Sequence, residues 1–216
     1  MVTMDFFILY CKKNSQDLYR VQWLLWGAII ALLFSILSTS VSHAGSIHIK
    51  SVEVAAVNQG YEISVDSEIA LNATLERALE KGIILYFATK LTLEDSRWFL
   101  VNDEVARAKL RVALRYYALT RQYQLNYLSS SQNFNSLKEA LKALGRLKGY
   151  PLTIKDGLKE NVEYMASLRI WFDLTRMPKP FQVEALASSQ WELTSDRLEW
   201  RMKLPVIGQP MIVKGQ

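Results

Sequence analysis

The side chains able to carry out acid–base or metal chemistry are few in this chain. Among its 216 residues Cys11 is the only cysteine, and His43 and His48 are the only histidines. A zinc site with nitrogen and sulfur ligands cannot be assembled from them, and a serine–histidine–acid triad would depend on His48. The adjacent acids Glu94–Asp95 and Asp103–Glu104 could act as general acid and base, but acids at a strand end are usually only solvated. We therefore predict no catalytic residue, no metal and no cofactor.

Four basic residues with strand spacing form the one surface feature that suggests binding. Arg107, Lys109, Arg111 and Arg115 occupy odd-numbered positions, so a strand would place them on a single face. Such a stripe suits an anionic partner, whether phospholipid head groups, lipopolysaccharide phosphate or an acidic protein. The charges equally serve to solvate the outer face of a half-buried sheet and to discourage edge pairing, and we favour that interpretation.

The proline-containing segment Met177-Pro178-Lys179-Pro180 is the second candidate for partner binding. Two prolines restrict the backbone and bias the residues before them toward extended conformations. A partner could recognise such a segment as polyproline. We favour a rigid crossover between two sheets instead.

The first 44 residues have the organisation of a secretory signal peptide. Basic residues precede an apolar run at residues 21–37, and small residues follow it. Ser42 and Ala44 occupy the positions that a signal peptidase grips, so cleavage is expected between Ala44 and Gly45. The alternative is an uncleaved anchor helix, because the run approaches the roughly 20 residues that span a bilayer.

The chain that follows the signal segment is expected to form one domain and a short tail. We expect residues 45–204 to form a single exported β-rich domain and residues 205–216 to form a flexible tail. The domain would associate with a membrane only through an uncleaved N-terminal helix. A formal net charge of +5 is mildly basic and gives no reason to expect a nucleic-acid partner.

Alternating apolar residues predict strands that cover a core on one side only. Residues 47–66 have the pattern of a hairpin that turns at Asn58-Gln59-Gly60, and residues 83–93 that of a buried strand. The longest alternation, over residues 162–175, predicts a central strand. Residues 198–204 alternate in the same way.

A second hairpin is predicted in the middle of the chain. Residues 101–109 fit a helix as well as a strand, whereas the positions that follow alternate strictly. A turn at Leu119–Thr120 would pair Tyr116 with Tyr123 and would bring the apolar sides of both strands together. The turn is the weak point, because Leu-Thr lacks the glycine or asparagine that a two-residue loop prefers.

Short helices interrupt the strands. Asn72 and Ser136 are predicted to cap two helices, residues 181–187 are irregular or helical, and the serine-rich and asparagine-rich residues 129–135 are predicted to break the pattern. The fold class is therefore mainly β: an antiparallel β-sandwich or strongly curved sheet with two or three short helices, preceded by the N-terminal signal or anchor helix.

Several segments in a fixed order are distinctive when taken together. They are an export signal, Leu114-Arg115-Tyr116-Tyr117-Ala118-Leu119-Thr120-Arg121-Gln122-Tyr123, a long strand ending at Asp173-Leu174, Met177-Pro178-Lys179-Pro180, and Trp191-x-Leu193-x-Ser195 followed by Trp200. This order resembles a proteobacterial family of exported proteins catalogued as domain of unknown function 4390, in which the position of Met177 is more typically leucine. The resemblance implies a Gram-negative periplasmic protein, or one anchored in the inner membrane and facing the periplasm. It implies no activity, cofactor or binding residue, but it suggests a membrane sensor as one partner.

Two functions follow as hypotheses. The favoured one is a non-enzymatic periplasmic interaction module of the cell envelope that meets an envelope protein or a membrane sensor. The alternative is an envelope enzyme that acts on glycan or lipid through carboxylates. A cleft with two carboxylates about 5 to 9 Å apart would favour the enzyme, and a sandwich without such a cleft would favour binding.

The first testable prediction concerns the mature N-terminus. Because Ser42 and Ala44 follow an apolar run of signal length, the protein isolated from its native host should begin at Gly45. Mass spectrometry of the intact protein measures this directly. A full-length, membrane-embedded species at steady state would contradict cleavage and would support the anchor.

Overall fold

The computed structural model describes residues 45–95, 103–127, 130–155, 158–159 and 162–215. The predicted signal segment, including Ala44 of the predicted cleavage pair, lies outside these residues. Gly45 is the first described residue, and the structured domain starts directly after it at Ser46. No helix in the described part of the chain is long and apolar enough to cross a membrane.

Strands form most of the described chain. In order along the sequence the elements are β1 (Ser46–Val57), β2 (Gly60–Ala70), α1 (Ala73–Glu80), β3 (Leu85–Asp95), β4 (Asp103–Tyr117), β5 (Gln122–Tyr127), β6 (Ser130–Phe134), α2 (Leu137–Leu144), β7 (Arg146–Pro151), β8 (Thr153–Ile154), β9 (Glu163–Phe172), α3 (Lys179–Ala187), β10 (Leu198–Lys203) and β11 (Met211–Lys214). Short 3-10 helices at Leu174–Arg176 and Ser189–Trp191 flank α3.

The strands form two antiparallel sheets. The smaller sheet has the order β11-β1-β2-β7. The larger has the order β10-β9-β3-β4-β5-β6, and β8 pairs with β4 on the same side as β5. The inner faces of both sheets contribute to one apolar core, in which Val54 and Ile63 of the smaller sheet join Phe87 and Leu168 of the larger. The predicted mainly β, antiparallel fold is confirmed.

The two long sides of the sandwich differ. On one side the segment around Ser195 joins the sheets, since Ser195 forms a bridge with Ile47 of β1 while Thr194 forms one with Trp171 of β9. The Ser195 backbone N–H also donates to the Ile170 carbonyl at 2.8 Å. On the opposite side the sheets end in β6 and β7, and α2 lies at that end, in contact with strands of both sheets.

Both predicted hairpins form. In the first, Val54 pairs with Ile63. In the second, Tyr116 pairs with Tyr123 as predicted, and their rings lie 4.8 Å apart between centroids. The loop is longer than the predicted Leu-Thr turn, because Gln122 pairs with Tyr117 and the intervening residues end with Arg121 at a φ of 53°. A longer loop removes the need for glycine or asparagine at both central positions.

The helix caps also form as the sequence predicts. The Asn72 side chain accepts a hydrogen bond from the Leu75 backbone N–H at 2.9 Å, and the Ser136 hydroxyl accepts one from the Glu139 backbone N–H at 3.2 Å. Each cap satisfies a backbone donor that the first helical turn leaves without a partner. Residues 103–109, which fitted a helix or a strand, belong to β4.

Two segments differ from expectation. Residues 129–135 were expected to break the strand pattern, yet Ser130–Phe134 pairs with β5 along its whole length. Residues 205–216 were expected to form a flexible tail, yet Met211–Lys214 pairs with β1. Both are short edge strands held by backbone hydrogen bonds. Their mostly exposed side chains carry no strong apolar alternation, so periodicity gives little signal for them.

Gly145 connects α2 to the smaller sheet. Its carbonyl accepts hydrogen bonds from the Ser67 backbone N–H at 2.8 Å and from the Ser67 hydroxyl at 3.0 Å. A Cβ atom at position 145 would lie 2.1 Å from the Ser67 carbonyl oxygen. The φ of Gly145 is −71°, a value that any residue adopts, so the requirement for glycine is purely steric.

We predict that Gly145→Ala destabilises the domain by about 1 to 3 kcal/mol, because the added methyl group must push α2 away from β2. Urea unfolding followed by circular dichroism measures the change. Lys138→Ala on the exposed side of α2 is the control and should change stability by less than about 0.5 kcal/mol. An unchanged midpoint for Gly145→Ala would show that the contact between α2 and β2 is looser than described.

Candidate binding face

The four basic residues predicted from strand spacing share the outer face of the larger sheet. Arg107, Lys109 and Arg111 are exposed and Arg115 is half-buried. The residues between them point to the core, as Leu110, which is 5% exposed, illustrates. β4 thus positions the row as the alternation requires.

Three of the four, however, have partners within the domain. Arg107 lies 3.4 Å from a carboxylate oxygen of Glu104, and Arg111 donates from Nε to Asp173 at 2.9 Å. Arg115 donates to the Tyr117 hydroxyl at 3.2 Å and its guanidinium lies over the Tyr117 ring. Neither Lys109 nor Arg115 makes an ion pair with a described residue, and of the four only the Lys109 side chain has no partner of any of these kinds among the described residues. The row along β4 is therefore largely a set of internal contacts.

Glu104 is surrounded by three cations. Lys155 lies 2.7 Å from it, and Lys90 and Arg107 each lie 3.4 Å away. Burial alone would raise the pKa of Glu104, but the hydrogen bond from Lys155 and the charge of Lys90 outweigh it, so the pKa falls below its ordinary value. The carboxylate stays ionised and neutralises part of this face.

Asp173 is the second carboxylate with a fixed structural role. It follows β9, its side chain is 5% exposed, and it binds both Arg111 and the backbone N–H and hydroxyl of Thr175. Burial pushes its pKa up, while the hydrogen bonds from Thr175 and Arg111 push it down further, to below the ordinary value. It starts the 3-10 helix Leu174–Arg176 as its cap.

A cluster of cations runs across the strands rather than along them. In the register of the sheet, Lys90 of β3 lies directly between Lys109 of β4 and Arg169 of β9. We call Lys109, Lys90 and Arg169 the transverse row. Sequence reasoning missed Lys90 and Arg169, because their proximity to Lys109 depends on the pairing of β3 with β4 and β9, and no local pattern encodes that pairing.

A groove of about 530 Å³ adjoins the transverse row. Lys90, Arg169 and Arg197 line one part of it, and Trp171 and Trp191 line another. Its polar floor is a pair of buried hydroxyls, Thr92 and Ser167, whose oxygens lie 2.7 Å apart. Arg197 donates to Ser167 at 3.2 Å, and Arg169 donates to Thr194 at 3.0 Å. These hydrogen bonds fix two guanidinium groups at the rim.

The described residues that line the two large grooves do not include the carboxylate pair that glycoside hydrolysis needs. Among the described residues, Glu192 is the one acid that lines the groove beside the transverse row. A second groove, at the side of the sandwich, is lined by Glu139 as its one described acid. Glu104 and Asp173 have lowered pKa values, whereas a general acid needs a raised one. The described residues also contain no group of three or more metal-ligating side chains.

The proline-containing segment is not an extended polyproline. Met177 is 3% exposed, Pro178 caps α3, and Lys179 and Pro180 form the first turn of that helix. Gln182 donates hydrogen bonds to the Met177 carbonyl at 2.7 Å, which holds the helix start in place. The segment joins β9 to β10 within the larger sheet, so the favoured crossover between two sheets is wrong. Proline is compatible with the first helical turn because no backbone donor is needed there.

A family model supports the resemblance noted from the sequence. The model described as Domain of unknown function (DUF4390) matches residues 44–201. The chain belongs to this family. No curated protein and no solved structure matches it significantly.

We predict that Asp173→Asn destabilises the domain by about 2 kcal/mol at pH 7, because a charge-assisted hydrogen bond to Arg111 is lost while asparagine can still cap the 3-10 helix. The pKa of Asp173 is lowered in the folded state, so its stabilisation is complete above the ordinary value of 3.8 and is lost as pH falls through the folded pKa. The stabilities of the wild type and the variant should therefore converge at low pH. Thermal unfolding at pH values from about 2 to about 7 measures both stabilities, because this range includes the ordinary value of 3.8 and about two pH units below it.

Glu199→Gln is the matched control for this measurement. Glu199 pairs with Arg197 at 3.1 Å, but both side chains are more than half exposed. Removing such a surface pair should cost less than about 1 kcal/mol. Equal losses for the two variants would contradict the assignment of Asp173 as a buried, structurally important carboxylate.

Proposed function

We propose that this DUF4390 domain is a non-enzymatic interaction module of the bacterial cell envelope. It acts in the periplasm, and its outer sheet face binds an acidic segment of an envelope or membrane protein. The observation that carries the proposal is the transverse row, in which Lys109, Lys90 and Arg169 lie opposite one another on three neighbouring strands.

The row is unfavourable for folding by itself. Like charges directly opposite on neighbouring strands destabilise a sheet. Glu104 compensates Lys90 at 3.4 Å, but Lys109 and Arg169 have no carboxylate partner among the described residues. An acidic partner would supply the missing counter-charges, and this is the physical reason to regard the row as a binding surface.

The neighbouring groove adds an apolar anchor to the charged row. Trp171 is half-buried and lies two residues along β9 from Arg169, at the next position on the outer face of the strand. Tryptophan and arginine dominate the binding energy of protein interfaces. A protein segment with an acidic residue and a neighbouring apolar side chain fits this combination better than a free ion does.

The sequence supports the periplasmic location. The lowered pKa values of Glu104 and Asp173 support binding rather than catalysis. The signal-like residues 1–44 argue for export, either cleaved into the periplasm or anchored in the inner membrane and facing it. The carboxylate-dependent enzyme gains no support, because Glu104 and Asp173 are held ionised by cations and hydrogen bonds.

The test starts with a photo-crosslinking amino acid in the full chain in its native host, placed at position 107, which is exposed on the same outer face but is not part of the transverse row. The captured protein is identified by mass spectrometry, purified, and titrated against the domain at low salt. Lys109→Gln combined with Arg169→Gln should weaken binding about tenfold and flatten its salt dependence, because two exposed charges contribute up to about 1 kcal/mol each.

Lys81→Gln combined with Lys138→Gln is the matched control. Both residues are exposed and lie away from the outer face, and the pair removes the same net charge. It should bind as the wild type does. Equal weakening by both double variants would show that the change in net charge alone explains the weaker binding. If no protein is captured and phosphatidylglycerol vesicles bind at the transverse row, the ligand of the row is a lipid surface and the proposed protein partner is wrong.

A further inference from the structure

The open side of the sandwich carries a second concave surface. A groove of about 780 Å³ lies between β6, α2 and β7, and we call it the edge groove. Its floor is Leu110 of β4, and half-buried Tyr127, Phe134 and Leu147 form its apolar walls. The Tyr127 hydroxyl donates to the Ala143 carbonyl at 3.4 Å, so the helix wall is tied to the sheet.

Leu110 can form the floor of the edge groove because β4 is not continuously paired on the side opposite β3. β4 pairs with β8 up to Arg107 and with β5 from Val112 onward. Between these points the Tyr150 hydroxyl donates to the Lys109 carbonyl at 3.0 Å in place of a strand neighbour. The groove therefore exposes a section of sheet edge together with apolar side chains.

β6 carries no charge, no proline and no bulge, three features by which proteins protect an edge strand. Among the described residues it pairs only with β5. Its sequence Ser-Ser-Gln-Asn-Phe contains no charge and no proline, and four of its five residues are exposed. Lysine, proline and bulges normally prevent an edge from pairing with another chain. An unprotected edge of this kind is a template for an added strand.

The rim of the edge groove is basic. Lys142, Arg146 and Lys148 line it, and Glu139 is the one acid among its described lining residues. Arg146 lies 3.9 Å from Asp66, whereas Lys142 and Lys148 make no ion pair with a described residue. A second copy of this chain paired at β6 would bring the same three cations to the junction, so charge disfavours self-association there.

We infer that the β6 edge binds an extended segment of another protein as an added strand. The segment has alternating acidic and apolar residues: its backbone pairs with β6, its apolar side chains occupy the walls of the edge groove, and its carboxylates meet Lys142 and Lys148. This site is separate from the transverse row and does not depend on the function proposed above.

The experiment uses a fluorescein-labelled peptide of alternating glutamate and valine as the probe, titrated by fluorescence anisotropy. The wild type should bind it, and Lys142→Glu combined with Lys148→Glu should weaken binding about tenfold. Lys179→Glu combined with Lys203→Glu carries the same charge change at exposed positions away from the edge groove and should bind as the wild type does. A peptide with proline at its central position should bind more weakly than the probe, because it cannot complete the backbone pairing.

Hydrogen exchange distinguishes an added strand from simple charge attraction. The bound probe should slow amide exchange within residues 130–134, and Lys109→Gln combined with Arg169→Gln should leave binding unchanged. Binding without protection of β6, or equal loss in both charge-reversed variants, would overturn the inference. Sedimentation that shows a dimer of the chain alone, broken by Gln132→Pro, would assign the edge to a second copy and would also overturn it.

Discussion

The pairing of β3 with β4 on one side and β9 on the other is the constraint on which the rest of this structure depends. β4 is the next strand in the chain whereas β9 comes from a distant part of it, and the register with each is fixed by apolar inner positions such as Phe87 and Leu91, which must reach the core. A slip of one residue would bury Lys90. The same register that builds the core therefore also places Lys90 between Lys109 and Arg169.

The outer face shows how the domain accommodates that concentration of charge. Glu104, at the start of β4, is surrounded by Lys90, Arg107 and Lys155, and Asp173, at the end of β9, binds Arg111. These acids lie at the ends of the strands, and among the described residues no acid pairs with Lys109 or Arg169 in the middle of the face. The cations of this face therefore divide into those that pair with acids of the domain, Lys90 among them, and those that do not.

The sequence predicted the parts of this arrangement that depend on local pattern. Alternation identified the hairpin register of Tyr116 with Tyr123, and the caps Asn72 and Ser136 were recognisable from side-chain chemistry. It could not predict β6, because an exposed polar edge strand has no apolar period. Nor could the sequence predict the transverse row, because the members of this row come together only through the pairing of β3 with β4 and β9. Both candidate binding surfaces therefore depend on features that only the tertiary structure supplies.

β4 contributes to both surfaces, which raises the question of coupling between them. The Lys109 side chain faces outward, whereas its carbonyl accepts the Tyr150 hydroxyl at the edge groove. Coupling would require an element with two arrangements whose balance both ligands change. β4 is paired with β3 along nearly its whole length, and the apolar side chains on its inner face are buried, so a shift would break the core. Physical continuity alone therefore gives no reason for cooperation, and the two proposed binding surfaces should act independently of each other.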